Sequence, residues 1–290
     1  MSEIDDLIEQ GWNEHTADPA GVASRLEAAI GRLAGATDKA AELIRLIEHV
    51  LIAHRADAAA MARCSDALAP FARDAASQAA LDRARLAAAL LRDETAAASD
   101  LKRAAVVGAH GTAACGRASR GELDAARRLM EAAAAHAESA DDKDSARAIA
   151  AAWNNIASQL LDGARSPAAD ALMMDAARRS RAAWVRAGTW TNEERADYLL
   201  SRCAATTGDA QQALAHARSC LAICEANDAD ALERFFAHEV LGQAWRLHGD
   251  ADAARRELDT LRALREQVEP DSRSWCDEPL ARLANSLSSP

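Results

Sequence analysis

The stretch AHEVLGQAWRLHGDADAA, residues 237–254, decides how the rest of the chain is interpreted. It joins an apolar helical stripe to the pattern Gly-Asp-Ala-x-x-Ala, which begins at Gly249. The same pattern begins at Gly208, and looser copies begin at Gly121 and Gly163, so the glycines are 41 to 45 residues apart. A recurrence at a nearly fixed period of this size indicates a repeat protein, in which each repeat is one supersecondary unit.

Composition and periodicity predict an all-α fold. Half of the residues are apolar but only 3% are aromatic, and the chain is rich in Ala, the strongest helix former. Apolar residues recur at helical spacing, for example at Ile149, Trp153, Ile156 and Leu160. We expect about fifteen helices joined by short links, which make neighbouring helices antiparallel. The glycine-rich region 92–120 is an exception to this regular pattern of helices. We predict one short or irregular hairpin there.

Several helix starts are marked by capping residues. Asp18-Pro19 and Ser166-Pro167 each place a capping side chain before a proline at the first helical position. Residues 191–194, Thr-Asn-Glu-Glu, fit a capping box that begins at Thr191. Asp38, Asp57 and Asp271 are further predicted caps.

Charge narrows the class of partner. The net charge of −11 and the pI near 5.2 argue against nucleic acid, which needs a positive surface. No run of 18 apolar residues predicts a membrane span, and the acidic first residues lack the pattern of a signal peptide. We therefore expect a cytoplasmic protein without nucleic-acid or membrane partners. Six dispersed cysteines without a CxxC pair are expected to be small buried residues.

The opening stretch resembles a tetratricopeptide repeat (TPR). That family has a large apolar residue, a small residue and an aromatic in its first helix, then a Gly-Asp turn and a small residue; here these are Leu241, Gly242, Trp245, Gly249, Asp250 and Ala254. The unit with Leu200, Ser201 and Gly208 fits without the aromatic, and residues 121–187 fit loosely. The period exceeds the family's usual length of about 34 residues, which predicts longer helices.

The resemblance implies one continuous right-handed α-solenoid of antiparallel helical hairpins. Residues 1–120 would form a degenerate helical half, 121–268 the TPR-like repeats, and 269–290 a capping helix and tail. In such a solenoid, the first helices of the repeats line a concave groove that binds peptides or proteins. Carried over position by position, the groove residues are Asn154, Ser158, Arg195, Tyr198, Arg202, Phe236, Glu239, Gln243 and Arg246.

Metal and acid–base chemistry are the alternatives. His216, Cys220 and Cys224 follow at intervals of four, but three ligands on one straight helix extend too far to meet one ion. Cys203 from the neighbouring helix could join two of them, although buried packing of these side chains is the preferred interpretation. The adjacent residues His238 and Glu239 could form an acid–base pair, but neighbours on a helix point about 100° apart and cannot easily act on one atom. We therefore expect Phe235 and His238 to pack between helices and Glu239 to face the groove. Trp190 is expected to be the most exposed of the six tryptophans.

The sequence thus predicts a protein-interaction scaffold that is not an enzyme and carries no cofactor, with a protein or peptide partner and a homodimer left open. Two alternatives stay open. One is an enzyme or metalloprotein that uses Cys and His residues of a helical bundle. The other is a regulator that closes on a small ligand.

Overall fold

The computed structural model describes residues 3–32, 39–94, 101–138 and 142–288, and in these ranges the chain is all-α, with no strand. The predicted fold class is confirmed at that level. The α-helices are α1 Glu3–Glu14, α2 Pro19–Ile30, α3 Ala40–Glu48, α4 Ala58–Leu68, α5 Ala75–Leu91, α6 Arg103–Ser119, α7 Leu123–Glu138, α8 Lys143–Leu161, α9 Pro167–Ala187, α10 Trp190–Thr206, α11 Ala210–Ala226, α12 Ala231–His248, α13 Ala251–Arg265 and α14 Asp277–Ser288. Helices that follow one another in the chain generally pack together as neighbours. None of the described helices is both long and apolar enough to cross a membrane.

The contacts divide the chain into two compact units, Met1–Ala164 and Arg165–Pro290. The first unit has a large core built from α1 to α6, in which Leu, Ile and Ala side chains are almost fully buried. The second has a smaller cluster around Phe235, between α12, α13 and α14. The predicted division at residue 120 lies in the turn between α6 and α7, inside the first unit.

The recurrent glycines form the turns that the sequence predicts. Gly121, Gly208 and Gly249 have φ of 76°, 80° and 94°, a left-handed conformation that glycine adopts without steric cost. After the last two, Asp209 and Asp250 cap the next helix by accepting backbone N–H groups. Gly163, in the loosest copy, does not share the positive φ.

The capping predictions are mostly confirmed. Asp18, Asp57 and Ser166 each accept a backbone N–H in the first turn of their helices. The predicted box at Thr191 is wrong, because α10 begins earlier: Thr189 is the cap, and its partner in the capping box is Asn192. The predicted cap at Asp271 is wrong, because Asp271 lies inside the 3-10 turn Pro270–Cys276, whose N-cap is Glu269. Asp38 lies outside the described residues.

The prediction of a short or irregular hairpin over 92–120 is wrong for the described part of that region. Residues 103–119 form one continuous helix, α6, buried along most of its length. Its glycines allow close packing rather than turns. A Cβ at Gly111 would lie 2.6 Å from the Cβ of Ala152, and a Cβ at Gly116 would overlap the carbonyl oxygen of Ile52.

The helix that begins with α3 changes its winding at His49. Residues His49–His54 form a π-helical segment, with five-residue backbone hydrogen bonds such as the one from Arg55 to Val50. Two residues beyond the end of the segment, Ala56 has a positive φ of 49°. The apolar stripe of α3 continues through it, since Val50, Leu51 and Ile52 are all buried. Single π turns inside helices often occur at functional sites.

The C-terminal segment that we predict to cap the repeats forms the helix α14. A 3-10 turn, Pro270–Cys276, leads into it. Leu280, Leu283 and Leu287 pack against the core cluster of the second unit. Trp275, in the 3-10 turn, is 59% exposed.

Candidate functional site

Four of the predicted groove residues of the second unit, Arg195, Tyr198, Arg202 and Phe236, form one connected surface. The helices α10 and α12 pack against each other, so Arg195 forms an ion pair with Glu233 across them. The ring of Tyr198 meets the ring of Phe236 edge to face, with centroids 6.0 Å apart. The guanidinium carbon of Arg202 lies 5.8 Å from the Tyr198 ring centroid. Residues that are some 40 positions apart in sequence therefore share one face.

Glu239 requires a correction, because it faces the protein rather than a ligand. Its side chain is almost fully buried. One carboxylate oxygen accepts the Tyr198 hydroxyl at 3.2 Å, and the other accepts the Arg282 guanidinium of α14 at 2.8 Å. Burial, together with the Glu239 charge, raises the pKa of Tyr198, so this phenol remains a hydrogen-bond donor.

The far end of the α12 face is occupied by α14. Arg246 donates to the backbone oxygen of Ser286 at 2.9 Å. A Cβ at Gly242 would lie 2.6 Å from Leu283, so the glycine allows α14 to approach closely. The amide nitrogen of Gln243 is buried and makes no hydrogen bond among the described residues. The part of the predicted groove that lies away from α14 is thus the α10 face and the beginning of α12.

Asn154 and Ser158, the remaining predicted groove residues, lie on α8 of the first unit and are half-buried. They are one turn apart on the same helix. The prediction that they contact a ligand stays a prediction.

The candidate Cys and His ligands of α11 each have a different partner. His216 Nδ1 lies 2.8 Å from a carboxylate oxygen of Asp197, which is buried and also accepts Arg181 and Ser219. Burial opposes ionisation of Asp197, but the hydrogen bonds from these three side chains outweigh it and hold its pKa below the ordinary value. His216 is therefore part of a structural network.

Cys220 donates its thiol to Glu194 at 2.9 Å. Its hydrogen bond with Cys224 and its burial raise the pKa of the thiol, so it stays protonated. All six cysteines are buried, as the sequence predicts, and none of them forms a disulfide. Among the described residues, Cys203, His216 and Cys220 do not come together as a ligand group.

The neighbours His238 and Glu239 also contact different residues. His238 Nδ1 lies 2.7 Å from Glu257 on α13, and Phe235 is fully buried beside them. The preferred structural interpretation of His238 and Phe235 agrees with these contacts. The expectation for Trp190 is wrong: it is the first residue of α10 and only half-buried, whereas Trp12 and Trp275 are more exposed.

One cluster was missed by the sequence analysis. In the first unit, His15, His49 and His54 place one ring nitrogen each within 4.8 Å of the others. In the described part of the chain this is the one group of three or more potential metal ligands at such distances. The spacing of His49 and His54 fits no ligand motif on an α-helix, and only the π-helical segment brings them together. The only hint in the sequence is that three of the eight histidines lie in the first 54 residues.

Two imidazoles of this cluster, those of His49 and His54, are held in their neutral form. Burial, the neighbouring histidines and Arg83 lower the pKa of His49 to about 3. Burial and His15 lower the pKa of His54 to about 4. Nearby, the fully buried Glu48 faces Arg83 at 3.1 Å, and burial raises the pKa of its carboxyl despite that partner.

No protein-family model matches this chain, and no curated protein is significantly similar to it in sequence.

Proposed function

We propose that this protein is a TPR-like helical-repeat scaffold that binds a peptide or protein segment along the open face of α10 and the beginning of α12. The observation that carries the proposal is the single surface made by Arg195, Tyr198, Arg202 and Phe236 from two successive repeat units. Helical repeats use such surfaces for extended partners. The positive-φ Gly turns followed by Asp caps further support repeat stacking.

The chemistry of the face indicates what it would bind. The two arginines can donate to carbonyl or carboxylate oxygens in a planar, bidentate manner. The paired rings of Tyr198 and Phe236 offer an apolar contact between them. We therefore propose an extended segment that presents an apolar side chain with a flanking carboxylate. Because the whole chain carries a net charge of −11, recognition depends on these short-range contacts rather than on long-range attraction.

The right-handed solenoid of antiparallel hairpins belongs to the same proposal. It would place α10, α12 and α14 side by side along one surface, and the packing of α12 against both α10 and α14 supports this. In this arrangement, α14 takes the position of the next first helix and closes the array.

The test compares three baits in affinity capture from the native cell: the wild type, Arg195→Glu with Arg202→Glu, and a control with Arg255→Glu and Arg262→Glu. The control arginines lie on α13, are exposed and pair only with near neighbours. The proposal requires a protein that the wild type and the control retain and the α10 variant loses. That protein must then form a complex of fixed stoichiometry with the purified chain. Identical capture by all three folded baits would refute the proposal.

A further inference from the structure

We propose that His15, His49 and His54 form a binding site for one divalent transition-metal ion, with zinc as the best-fitting ion. The site lies in the first unit and is independent of the interaction surface proposed for the second. It rests on the convergence of three imidazoles from two separate elements.

The distances suit a single ion. The His49 and His54 Nε2 atoms lie 3.1 Å apart, close to the separation of about 3.3 Å that two imidazole nitrogens have in a tetrahedral zinc site. The three ring centroids form a nearly regular triangle, with sides of 4.8, 4.9 and 5.0 Å. His15 has to move inward by roughly an ångström for all three to bind one ion.

The backbone supplies the convergence of His49 and His54. On a regular α-helix, residues five apart point about 140° away from each other. A π-helical turn bonds each residue to the fifth one along, so His54 lies above His49 on the same side. The π-helical segment His49–His54 spans these two residues and ends there.

The third histidine is positioned by α1. Gly11 allows α1 to approach α3, since a Cβ there would lie 2.6 Å from Leu46. One turn later, His15 Nδ1 bonds the backbone oxygen of Trp12 at 2.6 Å, which leaves Nε2 as the ligand atom. A hydrogen bond from the second ring nitrogen is the usual way in which proteins orient histidine ligands.

The surroundings leave room for a further ligand. Trp12 packs on His15 and His49, with centroids 5.5 and 5.2 Å away, yet 41% of its surface is exposed. The described residues add no fourth His, Cys, Asp or Glu at the same distance. Water or a small ligand would complete the coordination, as in zinc sites with three protein ligands. Arg83 opposes a cation, and its pairing with the buried Glu48 offsets that charge.

Ligand type selects the metal. Three imidazoles without thiolate or carboxylate suit zinc, copper and nickel rather than magnesium or calcium. Zinc tolerates a distorted, partly open tetrahedron because it has no d-electron preference for another geometry.

The test is equilibrium dialysis of the chelator-treated full chain against Zn²⁺, with Co²⁺ as a spectroscopic probe. We expect one ion per wild-type chain. His15→Ala and His54→Ala should each weaken binding at least about tenfold, whereas His248→Ala, an exposed histidine of the second unit, should leave it unchanged. The Co²⁺ complex should show visible bands of a tetrahedral site without a near-ultraviolet thiolate band.

Three results would overturn the proposal: zinc well below one equivalent in the folded wild type, unchanged affinity in the His15 and His54 variants, or a thiolate band that reveals cysteine ligands. His15 follows the end of α1 and is partly exposed, so His15→Ala should keep the fold. Circular dichroism checks this, and the Co²⁺ spectrum of the wild type does not depend on any variant.

Discussion

Three carboxylates of the second unit are almost fully buried, and each has a different environment. Asp197 accepts hydrogen bonds from Arg181, His216 and Ser219 and remains ionised. Glu239 accepts from Tyr198 and Arg282. Glu194 accepts a hydrogen bond from the weak donor Cys220 and has Glu233 nearby. Burial first, and then the Glu233 charge, raise the pKa of Glu194 to about 7. Donor chemistry thus decides which buried acid keeps its charge.

Glu194 should make stability depend on pH near neutrality. The folded protein holds the Glu194 proton more tightly than the unfolded chain, so the stability gained is complete below about pH 4.5 and is lost as pH rises through about 7. Between about pH 5 and pH 8, the wild type should lose roughly 1–3 kcal/mol of unfolding free energy relative to Glu194→Gln. Urea denaturation across this range measures the difference.

The neighbours of Glu194 define the control. Cys220 from α11, Glu233 from α12 and Arg195 from its own helix are the groups that act on it. Glu225→Gln, at an exposed position of α11, should leave the wild-type pH dependence intact. If Glu194→Gln keeps the same slope as the wild type, another group is responsible.

Removing Arg282 should lower the unfolding free energy, because the buried Glu239 carboxylate then lacks a cationic partner. In Arg282→Ala, Glu239 keeps the Tyr198 hydroxyl and loses its cationic partner. Losing one partner of a buried pair costs several kcal/mol; since Arg282 is itself partly exposed, we expect a loss of about 2–3 kcal/mol. Arg255→Ala, which breaks an exposed pair with Asp252, should cost less than about 0.5 kcal/mol. Equal losses by chemical denaturation would contradict this account.

At the scale of elements, the sequence predicted what local signals encode. The turns at Gly208 and Gly249 and the caps at Asp18 and Ser166 depend on nearby residues, and all four are confirmed. The continuity of α6 was missed because its glycines are used for long-range packing against α8 and the π-helical segment. Glycine has a low helix propensity, so it predicts a helix break in its own segment. The residue against which it packs is far away in the sequence and cannot be seen locally.

Gly116 should be essential for the packing of α6 on the π-helical segment. A methyl group there would overlap the Ile52 carbonyl oxygen, and backbone cannot yield as a side-chain end can. We expect Gly116→Ala to reduce the unfolding free energy by about 1–3 kcal/mol, despite the better helix propensity of alanine. It should also weaken zinc binding, because the displaced segment carries His49 and His54.

Gly31→Ala provides the matched control. Gly31 has an ordinary φ of −66°, and no atom of the described residues lies within 4 Å of a Cβ built there. This substitution should be neutral or stabilise by up to about 1 kcal/mol. Thermal and urea unfolding compare the two variants, and a Gly116→Ala protein as stable as the wild type would show that the segment moves freely.

At the scale of the whole molecule, the two candidate sites differ in how far the sequence could reveal them. The face of α10 and α12 follows from a repeat pattern, so the four residues that form it, Arg195, Tyr198, Arg202 and Phe236, could be numbered in advance. The pattern could not show that Glu239 turns inward or that α14 packs against Gly242, because these contacts join positions about 40 residues apart. The histidine cluster needs both a change of helix winding and the end of α1. No local motif encodes that combination.

The two units should fold independently of each other. Each has its own packed core, and a unit with its own core can fold alone. The boundary between the two units lies just after Gly163. Gly163 belongs to the copy of the repeat pattern that lacks the left-handed turn.

We expect fragment 165–290 to be helical and to unfold cooperatively. We expect fragment 1–164 to carry all of the zinc binding, with an affinity within about threefold of the full chain. Circular dichroism, urea denaturation and zinc dialysis of both fragments test this. Zinc bound by fragment 165–290, or a fragment without cooperative unfolding, would contradict the assignment of one site to each unit.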